Sequence, residues 1–88
     1  MLLAELETAY ASVETLTERV SRFEREVLPQ AQHRVDAALA AYRAGRGDLA
    51  AAIEAQRGAL EIGLQHLALY VELARARALL DYLTAHQG

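Results

Sequence analysis

Three histidines, two dispersed serines and a set of carboxylates are the residues of this chain that could carry chemistry. A metal site on a helix needs two ligands on one face, as in a His or Glu repeated at a spacing of three or four. His33 and His66 have no such partner, and they fall on opposite sides of the mid-chain glycine pair at different distances from it. His86 stands beside the C-terminus. The three therefore read as solvated or interface histidines, with no metal and no cofactor expected. Ser12 and Ser21 have no histidine one helical turn away, which removes the usual way of activating a hydroxyl. The carboxylates sit among arginines on polar faces, where pairs such as Glu18 with Arg22 are ordinary helix support. Tyr10, Tyr42, Tyr70 and Tyr82 suit the rim of an interface, with ring buried and hydroxyl wet. These residues point to no enzyme.

The elements that would position them are helical. Of 88 residues, 53% are apolar and 6% aromatic, so alanine and leucine dominate and helix–helix contact is favoured. A net charge of −3 gives no basic field for nucleic acid. With no cysteine there is no disulfide framework and no thiolate ligand. The opening MLLAELETAY lacks a basic segment and is interrupted by Glu5 and Glu7, so neither a signal peptide nor a membrane-inserting segment is expected, and the chain reads as soluble.

Residues 2–44 carry one amphipathic pattern. Leu6, Val13, Val20 and Val27 alternate with Ala9, Leu16 and Phe23 as a coiled-coil seam. Past Val27 the spacing changes to Ala31, Val35, Ala38 and Tyr42, a stutter that unwinds a supercoil locally. Pro29 lies at the stutter and predicts a kinked but single helix. Gly45 supplies a helix stop and Asp48 an N-cap, so residues 45–48 form a turn with Arg46 at its tip. The Arg46-Gly47-Asp48 triplet, which matches an adhesion tripeptide, is read as this stop and start.

Residues 49–86 form the second helix, and its pattern has two stripes. Leu60, Leu64, Leu67, Val71, Ala74 and Ala78 make one; Ile62, Leu69, Leu73, Ala76, Leu80 and Leu83 make the other, on the opposite side. One antiparallel partner covers only one of them. The expectation is an all-α fold, a single hairpin domain over residues 1–88, which pairs with itself into a four-helix bundle. Ile62, Leu69, Leu73, Leu80 and Leu83 are expected to form the interface of that homodimer.

The segment from Leu28 to Gly88 resembles the C-terminal part of TolC-like outer-membrane efflux factors, in particular their heavy-metal branch. The resemblance rests on Leu28-Pro29, Ala31, the Y-x-x-G of Tyr42 and Gly45, the IEAQR of Ile53 to Arg57, and on Tyr70, Leu79 and the closing YLTAHQG. The preceding ELETAYASVETLTERVSRFEREVLP is similar to the helix that enters this motif. Ala50, Ala51 and Ala52 stand where that family has an acidic residue. Its members are also several times longer, with two such hairpins and transmembrane strands. The resemblance implies one periplasmic hairpin of an outer-membrane channel, packed against neighbouring hairpins. It further implies a tip of Tyr42, Arg43, Gly45, Arg46 and Asp48 that docks an adaptor protein of a tripartite export pump. A free-standing hairpin that serves as a homo-oligomerisation or interaction module is the alternative, and the length of the reading frame separates the two.

Overall fold

A computed structural model describes residues 2–86. It is a helical hairpin with no strand among the described residues. The first arm comprises α1 (Leu2–Arg22), a π-helical turn (Phe23–Val27) and α2 (Leu28–Arg43); the second is α3 (Leu49–Ala85). No described helix is long and apolar enough to cross a membrane.

Pro29 is accommodated by a change of hydrogen-bond register. An interior proline cannot donate, and its ring crowds the carbonyl one turn earlier. Here the turn ahead of it is widened: the Leu28 N–H bonds back to the Phe23 carbonyl, a five-residue step. Arg22, Val27 and Leu28 all keep right-handed helical dihedrals. The stutter in the sequence therefore becomes a π turn that absorbs an extra residue without ending the helix.

The turn between arms follows the Schellman pattern. The Gly45 N–H bonds the Tyr42 carbonyl at 3.0 Å and the Arg46 N–H bonds the Ala41 carbonyl at 2.8 Å. Gly45 takes φ 75°, which a side chain would strain. Gly47 passes so close to α2 that an added Cβ would stand 3.2 Å from the Ala41 Cβ. Asp48 then caps α3, its Oδ1 accepting from the Ala51 N–H at 2.8 Å.

Packing groups the described residues into two compact units, a base of residues 2–21 with 67–86 and a tip unit of Arg22–His66. In the base, Ala9, Val20, Leu73 and Leu83 are buried. In the tip unit Ala31, Val35 and Ala52 are buried, while Phe23, Val27 and Ala38 are half-buried. The seam expected for the first arm is thus the face that packs, apart from Tyr42, which is exposed.

Candidate interaction surfaces

α3 corrects the expected division of its two stripes. Its inward positions begin at Ala52 and step by three and four through Ala55, Ala59, Ile62, His66, Leu69, Leu73, Ala76, Leu80 and Leu83, every one buried or half-buried. Ile62, Leu69, Leu73, Leu80 and Leu83, expected at a homodimer interface, therefore lie on the face packed within the hairpin. The stripe left in solvent is the other one: Leu60 is 72% exposed, Leu64 63% and Leu67 57%. Turn geometry decides this. The Asp48 cap sets the first turn of α3 so that Ala52, 2% exposed, is turned inward. From there alternating steps of three and four, a 3.5-residue repeat, carry the inward direction to Leu73 and Leu83 and leave Leu60 off that face.

At the tip, Tyr42, Arg43, Gly45, Arg46 and Asp48 are all exposed. Their tasks differ. Gly45 is there for its backbone conformation, and Asp48 has a carboxylate oxygen engaged in the cap. Tyr42, Arg43 and Arg46 present an aromatic ring and two cationic side chains at the end of the hairpin, the part of the turn suited to meeting a partner.

The tip unit also contains a cross-arm polar contact that sequence reasoning left undefined. His66 Nε2 lies 2.9 Å from Glu24 Oε2, and its ring stacks on Phe23 with centroids 5.8 Å apart. Phe23 and Glu24 belong to the π turn, so the widened turn presents both to a histidine on α3. His66 is thus an interface histidine of the hairpin itself. The proline and stutter marked this region in the sequence, but nothing there indicated which α3 residue faces it. His33 is exposed, and His86 bonds through Nδ1 to the Tyr82 carbonyl at 2.9 Å while its ring meets Tyr82. Among the described residues no three His, Asp or Glu side chains gather in a group able to hold a metal.

Two grooves accompany these surfaces. In the base, a cleft of about 660 Å³ is lined by small residues of α1, including Ala4, Thr8 and Ser12, and by Ala76 and Leu79 of α3. In the tip unit, a groove of about 820 Å³ lies between α2 and α3 beside Leu60. Both are lined mostly by apolar atoms and have charged residues at their margins, Glu5 and Arg75 in the first, Arg57 in the second. Such surfaces suit helix packing.

Compared with protein-family models, curated proteins and solved structures, the chain finds no match.

Proposed function

We propose that this chain is a structural hairpin that packs between neighbouring helices, as in the periplasmic tunnel wall of a TolC-like efflux channel. One observation carries this reading: α3 is apolar on two opposed faces, and only one of them is used within the hairpin. Leu73, 3% exposed, faces inward, while Leu60 at 72% and Leu64 at 63% face solvent. Leaving large aliphatic side chains in water forgoes roughly 1.5–3 kcal/mol for each one that a neighbour could cover. A wall element has such a neighbour on each side. In this reading the tip, through Tyr42, Arg43 and Arg46, docks the adaptor protein of an export pump, and the periplasm is the place of action.

The same outer face also supports a free-standing module that binds other helices, including those of a second hairpin. Two tests separate the readings. A parent reading frame of several hundred residues with β-segments favours the channel; a reading frame of this length favours the module. In a full-length channel, replacing Arg43 and Arg46 together by Ala should weaken adaptor binding and lower metal or drug tolerance. Unchanged binding and tolerance in that double variant would remove the docking role.

A further inference from the structure

We draw no further inference here: the strongest candidate, the apolar cleft in the base between α1 and α3 lined by Thr8, Ser12, Ala76 and Leu79, is an open groove beside a stripe of small residues, and nothing in the structure shows what covers it.

Discussion

His66 Nε2 lies 2.9 Å from Glu24 Oε2, a contact between residues 42 apart in sequence that ties α3 to the π turn of the first arm. The pair is partly solvated, with 25% of the His66 side chain and 49% of the Glu24 side chain exposed. A hydrogen bond in that setting contributes modestly, about 0.5–1.5 kcal/mol. The ring contact with Phe23 adds to it.

Replacing His66 by Ala removes both the bond and the stack, whereas Glu24→Gln removes the charge but leaves an oxygen able to accept. Urea unfolding should show His66→Ala about 1–2 kcal/mol less stable than wild type and Glu24→Gln changed by less. Equal losses from the two would mean that the ring contact contributes nothing.

Gly45 holds φ 75°, so the side chain placed there decides the cost. Gly45→Val should destabilise by about 1–2 kcal/mol or more, and Gly45→Asn by less, because Asn tolerates the left-handed region. Thermal melting of the two variants checks the order; Val equal to Asn would contradict the turn described.

Asp48 caps α3 through the Ala51 N–H at 2.8 Å. Asp48→Ala should cost about 1 kcal/mol, and Asp48→Ser should recover most of it. Amide exchange offers a local readout: the Ala51 N–H should exchange faster in the Ala variant and near the wild-type rate in the Ser variant. An unaltered Ala51 rate in Asp48→Ala would show that the cap contributes no protection.

The two stripes of α3 should respond differently to truncation. Leu73→Ala opens a cavity at a residue 3% exposed and should cost about 2–5 kcal/mol. Leu60→Ala, at a residue 72% exposed, should change the stability of the dilute chain by less than about 0.5 kcal/mol. Chemical denaturation at low protein concentration measures both, and similar losses would mean that the stripes are not distinguished as described.

Much of the hairpin was legible from residue types. Gly45 and Asp48 have local roles, a left-handed stop and a side-chain cap, so a short segment sufficed to locate the turn. The seam from Leu6 to Ala38 was legible because the first arm has only one apolar face. α3 was ambiguous for the opposite reason. Leu60, Leu64 and Leu67 recur with the same spacing as Leu69, Leu73 and Leu80, and periodicity gives the angle between stripes without saying which faces the other arm. That choice depends on how the turn launches the helix, which the burial of Ala52 reveals. At Pro29 the sequence signalled a disturbance, but a kink and a π turn both relieve a missing donor. The register adopted is the π turn, in which the Leu28 N–H bonds the Phe23 carbonyl, and residue types alone do not select it.

The central claim is that α3 turns Leu73 inward and leaves Leu64 on an outer face available for assembly. The sequence contains no cysteine, so single Leu64→Cys and Leu73→Cys variants can each be followed by thiol labelling without background. In dilute solution the thiol at position 64 should react at nearly the rate of a free thiol and the one at 73 far more slowly. Fast labelling at 73 with protection at 64 in the dilute chain would contradict the account.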